Sequence, residues 1–141
     1  MVNTLICVIA HDPLASALLK TAEHVFGPQK QVFVYDIKPD VCPDTQKVQI
    51  LNDIEVCMKN DETISQVLFL SDLIGATPNN IGACVVEVLH AKGIASHIFS
   101  GASVAMLLQA IEKRSKPLDE LCNYVIDRTF KGIRCTDKCS N

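Results

Sequence analysis

A chain of 141 residues, 48% hydrophobic and 21% charged, fits one globular domain with room for a buried core. A net charge of −3, with Lys and Arg scattered along the chain, gives no electrostatic footing for nucleic acid or an anionic membrane. No stretch reaches the roughly 18 apolar residues that span a bilayer, and the N-terminus lacks the basic region and cleavage site of a signal peptide, so a soluble cytoplasmic protein is expected.

Residues 4–10 (TLICVIA) form an apolar, β-branched run, as expected of a strand covered on both faces. The run stops at His11, and residues 13–26 switch to helical spacing, with Leu14, Ala15, Leu18, Leu19, Ala22, Val25 and Phe26 on one face. Asp12 suits the N-cap and Pro13 the first helical position, while Gly27-Pro28 closes the helix. Residues 31–37 (QVFVYDI) read as a second strand, and about 44–59 as a helix with Val48, Leu51, Ile54 and Met58 inward. Residues 66–71 (QVLFLS) are a third buried strand. After "DLIGAT", Pro78 opens a helix whose stripe is Ile81, Cys84, Val85, Val88 and Leu89, ended by Gly93. Residues 94–99 form strand four, Ser103 caps a helix reaching Arg114, and a last helix covers about 117–130. Residues 131–136 are expected to add a short edge strand. This alternation of strand and helix predicts an α/β fold with an open, mainly parallel twisted sheet and helices on both faces.

The seven cysteines are an odd number in a chain expected to stay reduced. Cys7, Cys57 and Cys84 lie within apolar patterns and read as small core hydrophobes. Cys135 and Cys139 form a CxxxC in a polar tail with no further ligand group nearby in sequence, so no metal and no cofactor is expected.

In an open parallel sheet, ligands bind beyond the carboxyl ends of the strands, where strand order reverses. For the order 2-1-3-4 that point lies between strands one and three, which brings His11 beside "DLIGATP" at 72–78. Asp72 is placed to hold one ring nitrogen of His11 and leave the other as a nucleophile. Gly75 permits a sharp turn, and Thr77-Pro78 sets a helix N-terminus that favours an anion. A histidine nucleophile, an orienting carboxylate and an anion nest together describe a site that carries a phosphoryl group.

These stretches resemble the IIA component of the mannose-type sugar phosphotransferase system, from residue 4 to about 133. "IAHDPLASALLKTAE" corresponds to the phosphohistidine segment, "VLFLSDLIGATP" to the family's "-LFL-D--GG[ST]P" loop, and "SGASVAMLLQAI" to its "-G-N-PML" helix start. The resemblance implies that His11 is phosphorylated through Nε2, that Asp72 orients it, and that Thr77 and the amides of Gly75, Ala76 and Thr77 hold the phosphate. It implies a phosphoryl group taken from the carrier HPr and passed to a histidine of a IIB domain, for sugar uptake or regulation. Membrane IIC and IID components would be reached only indirectly. It also implies a homodimer that exchanges the C-terminal edge strand, a domain over residues 1–133 and a polar tail over 134–141. The chain departs from the family's pattern at Asp12 and Ala76, commonly glycines, at Asn79, often an aromatic, and at Ser103 and Ala105.

Three rivals stand beside this reading. A receiver-like signalling domain would use Asp72 as phosphoacceptor, but calls for an acidic cluster after strand one where only Asp12 is available. A non-catalytic module on the same fold would not need both His11 and Asp72. A metal-dependent phosphohydrolase would need further ligands at strand ends. His24 reads as solvent-facing and His90 as structural; Asp36 reads as a solvated strand end, with contact to a partner protein as the alternative, and His97 reads chiefly as structural, with a place on the cleft rim as the alternative.

Overall fold

The computed structural model describes residues 2–139; Met1 of the expected domain and Ser140 and Asn141 of the expected tail lie outside the described residues. Nine elements follow in order: β1 (Asn3–His11), α1 (Leu14–Phe26), β2 (Val32–Ile37), α2 (Pro43–Asn60), β3 (Ile64–Ser71), α3 (Thr77–Ala91), β4 (Ala95–Phe99), α4 (Val104–Glu112) and α5 (Leu118–Lys131). The strands form one sheet of order β2-β1-β3-β4, every pair parallel. No helix among the described residues is long and apolar enough to cross a membrane.

The two faces of the sheet explain the unbroken apolar runs. Ile6, Val8 and Ala10 of β1, with Leu68 and Leu70 of β3, pack under α1, α4 and α5. The alternate residues Leu5, Cys7, Ile9, Val67 and Phe69 pack under α2 and α3. Strand side chains alternate between faces, so a run buried on both sides must be apolar at every position. Each such Leu, Ile or Phe contributes roughly 1.5–3 kcal/mol on burial. That burial fixes β1 and β3 as central neighbours, and hence which loops meet at their carboxyl ends.

The expected apolar stripes shift in two helices. In α3 the buried residues are Pro78, Ile81, Gly82, Val85, Val86 and Leu89, while Cys84 is exposed and Val88 is 37% exposed. The cause is Gly82: a Cβ there would lie 2.6 Å from Ile98 Cδ1, so the glycine face presses against the sheet and turns Cys84 outward. In α2 the fully covered residues are Ile50 and Ile54, and Val48 is 59% exposed. Cys7 is buried as expected, but Cys57 is only half-buried. Leu14, Val25 and Phe26 of α1 also face solvent, because they lie in its first and last turns, beyond the packed middle.

Two further expectations change at element ends. Ser103 does cap α4, accepting from the Met106 N–H at 3.1 Å, but that helix stops at Glu112. Residues 131–136 hold no strand in the single chain; α5 runs through Lys131 and the backbone is irregular beyond Gly132. Among the described residues, none of 131–136 pairs with a strand.

Asp12 is not the cap of α1. The N-cap position falls on Pro13, whose backbone is not in the capping conformation and whose side chain has no acceptor. The cap comes instead from another strand. Asp36, at the end of β2, accepts the Ser16 N–H through Oδ1 at 3.1 Å and the Ser16 hydroxyl through Oδ2. A carboxylate holding an amide of the first turn is worth about 0.5–2 kcal/mol. It also ties the start of α1 to β2, while the Asp12 N–H donates to the Ile37 carbonyl at 3.0 Å. The turn that follows His11 is therefore held from the β2 side.

Candidate functional site

His11 is the last residue of β1, and the register pairs Ile9 with Ser71, so the next residues of the two strands meet beyond the sheet. The His11 ring Nδ1 lies 2.7 Å from Asp72 Oδ2, and the His11 backbone N–H donates to that same oxygen at 3.0 Å. Asp72 Oδ1 accepts the Leu73 N–H at 2.9 Å. Burial alone would raise the Asp72 carboxyl; the His11 amide and ring and the Leu73 amide outweigh it and hold the group below its ordinary value. An ionised Asp72 assigns the proton of a neutral His11 ring to Nδ1, leaving the Nε2 lone pair unshared. The His11 side chain is 50% exposed while that of Asp72 is 11% exposed. The His11 ring faces solvent and the Asp72 carboxylate lies behind it.

The loop after Asp72 turns at Gly75, whose φ of 79° is a left-handed conformation that favours glycine. Leu73 O accepts the Ala76 N–H at 3.3 Å, and Asn80 Nδ2 donates to Gly75 O at 3.3 Å, which pins the turn to α3. α3 starts at Thr77, one residue before Pro78, and its N-cap Ala76 offers no side-chain acceptor. The N–H groups of Gly75 and Thr77 have no protein acceptor among the described residues. Free amides at the start of a 15-residue helix favour an anion. The Ala76 amide, by contrast, is already engaged.

Residues that sequence reasoning passed over hold this loop in place. The Ser71 hydroxyl, fully buried, donates to Asn79 Oδ1 at 2.6 Å and joins the end of β3 to the first turn of α3. The Gly101 and Ala102 N–H groups donate to the Asp72 and Ser71 carbonyls at 3.0 and 2.8 Å, so the loop after β4 braces the other side. A polar residue ending an apolar strand was the only trace of Ser71 in the sequence. Asn79 stood out only as a departure from an aromatic and Asp36 only as the end of a strand, because each bond joins two different elements.

The other histidines lie elsewhere. His90 Nε2 is 2.7 Å from the Ser96 carbonyl, a tie between α3 and β4. His97 pairs in register with Leu68, well back from Asp72, and its ring is 3.6 Å from Asp119; it does not line the cleft rim. His24 is exposed. Cys135 and Cys139 are exposed free thiols, and no group of three metal-ligating side chains is gathered among the described residues.

Residues 5–125 match the family profile EIIA-man, described as PTS system fructose IIA component. The chain is 28% identical over 132 residues to the PTS system mannose-specific EIIAB component of Escherichia coli (strain K12), covering 92% of this chain and 38% of that protein. It thus spans well under half the length of the curated relatives it matches. A crystal structure of phosphotransferase system component EIIA from Streptococcus agalactiae superposes with a TM-score of 0.79 at 22% identity, over 96% of this chain and 99% of that one. The mannose/sorbose specific IIA subunit from Enterococcus faecalis gives 0.79 at 17% identity, over 100% and 99%. These two structural likenesses establish the fold.

Proposed function

Because the chain belongs to the PTS system fructose IIA (EIIA-man) family, we propose that it carries a phosphoryl group on His11 Nε2, taken from HPr and passed to a histidine of a IIB domain. The observation that carries this reading is the His11 Nδ1–Asp72 Oδ2 contact of 2.7 Å, which leaves Nε2 unshared on a half-exposed ring, held by the residue that opens the loop with the free Gly75 and Thr77 amides. In the transfer, the lone pair of Nε2 attacks phosphorus. The bond from phosphorus to the donor imidazole breaks, and its electron pair stays on the donor nitrogen. Nδ1 keeps its proton, and Asp72 stabilises the positive charge that the ring acquires. The Gly75 and Thr77 amides and the Thr77 hydroxyl are the groups we assign to the phosphoryl oxygens. Ala76 serves mainly to shape the turn.

A receiver-like use of Asp72 as acceptor is disfavoured, since three N–H groups already occupy its two oxygens. The chemistry of the label separates the two readings. After incubation with radiolabelled phospho-HPr, a phosphohistidine is lost in acid and survives base, whereas an aspartyl phosphate is lost in base. Base-labile label would overturn the reading.

The same reading includes a homodimer. β4 is an edge strand, and the groove beside it is lined by Ile98, Phe99, Ile126, Phe130 and Ile133. Phe130 and Ile133 are 70% and 75% exposed, an apolar surface that a second copy's residues 131–136 would cover by pairing with β4. Light scattering at micromolar concentration should give twice the chain mass of 15.4 kDa, and removal of residues after Phe130 should weaken the association. A monomer at high concentration excludes this part of the proposal.

A further inference from the structure

Three carboxylates surround the turn that follows His11, and two of them are committed to hydrogen bonds. Asp72 accepts three N–H groups and Asp36 accepts from both the amide and the hydroxyl of Ser16. Asp12 is different. It is exposed, its backbone N–H is bound to Ile37, and its carboxylate forms neither a cap nor an ion pair among the described residues. With the N-cap at Pro13, the first-turn amide open to a cap is that of Ser16, and Asp36 already holds it. A carboxylate with no hydrogen-bond or ion-pair partner among the described residues therefore stands on the residue joined to His11. The N-terminus of α1 offsets part of its charge equally in both states of His11, so that offset does not cancel a difference between them.

Resting on the phosphohistidine reading above, we infer that Asp12 tunes the transfer potential of that phosphohistidine. Its carboxylate repels the phosphoryl dianion and makes the phosphorylated protein a stronger donor. In the exchange with HPr, one P–N bond breaks and one forms, each imidazole keeps its remaining proton, and no other reactant enters. The equilibrium therefore reads the difference between the two surroundings of the same group. Removing the Asp12 charge removes a repulsion that acts on this protein alone.

The test is the partition of label between HPr and the full chain at equilibrium, starting from radiolabelled phospho-HPr with excess HPr. Asp12→Asn should shift label toward this protein by about fivefold, the scale of one charge pair in water at a few ångströms. Asp12→Glu, which keeps the charge, should stay near the parent. The gap between parent and Asn should narrow as salt rises, and the unfolding midpoint should change little. Equal partition for parent and Asp12→Asn, with label still on His11, overturns the inference about Asp12 alone. Label that is absent, or undiminished in His11→Ala, overturns the phosphohistidine reading and this inference with it.

Discussion

Asp72→Ala should slow phosphoryl uptake from phospho-HPr roughly 100-fold, the scale set by loss of orientation at a reacting group. The substitution removes the acceptor that fixes the His11 tautomer and the anchor of two backbone amides. Asp72→Asn keeps an oxygen of similar reach without the charge, so its loss should be smaller, about tenfold, in line with one hydrogen bond changed from charged to neutral. Single-turnover uptake measured on parent, Asn and Ala variants separates these cases. Equal rates in all three would show that the Asp72 contact is structural only. The pH dependence follows from the direction of the shift. The folded carboxyl is held below its ordinary value of 3.8, so its contribution to stability is present above that pH and is lost as pH falls through the lower folded value. The part of the stability difference between parent and Asp72→Ala that comes from this carboxylate should therefore be lost below about pH 4.

The layered fold was legible because both faces of β1 and β3 are covered, which leaves continuous apolar runs along both strands. The meeting of His11 with Asp72 was legible for a related reason. Once order 2-1-3-4 is assumed, neighbouring strands of a parallel sheet deliver their carboxyl ends to one place. What sequence could not show were contacts made across elements. Asp-Pro before a helix reads as a cap, yet the acceptor at α1 is Asp36, brought there by the pairing of β2 with β1. In α3 Ile81, Val85 and Leu89 are buried as expected, but Gly82 and Val86 take the place of Cys84 and Val88, because Gly82, which reads as neutral in an apolar pattern, is where the helix meets the sheet. Gln66 shows the same limit. Inside a buried strand it looks like an interruption, but its amide donates to Thr4 Oγ1 and the Lys116 carbonyl and its oxygen accepts the Leu118 N–H, joining β3 to the start of α5.

His11→Ala should take up no label from phospho-HPr while remaining folded, because His11 is exposed and its removal leaves the apolar core untouched. The loss should be complete even though His24, His90 and His97 are retained. His90 is tied to the Ser96 carbonyl, His97 lies beside Asp119, and neither has the free amides of a helix start beside it. The most direct measurement is nitrogen–phosphorus coupling by NMR in phosphorylated protein carrying labelled imidazoles. The predicted result is one phosphorylated ring, that of His11, with phosphorus on Nε2 and a proton on Nδ1. Phosphorus on Nδ1 of His11, or on any other histidine, would contradict the account.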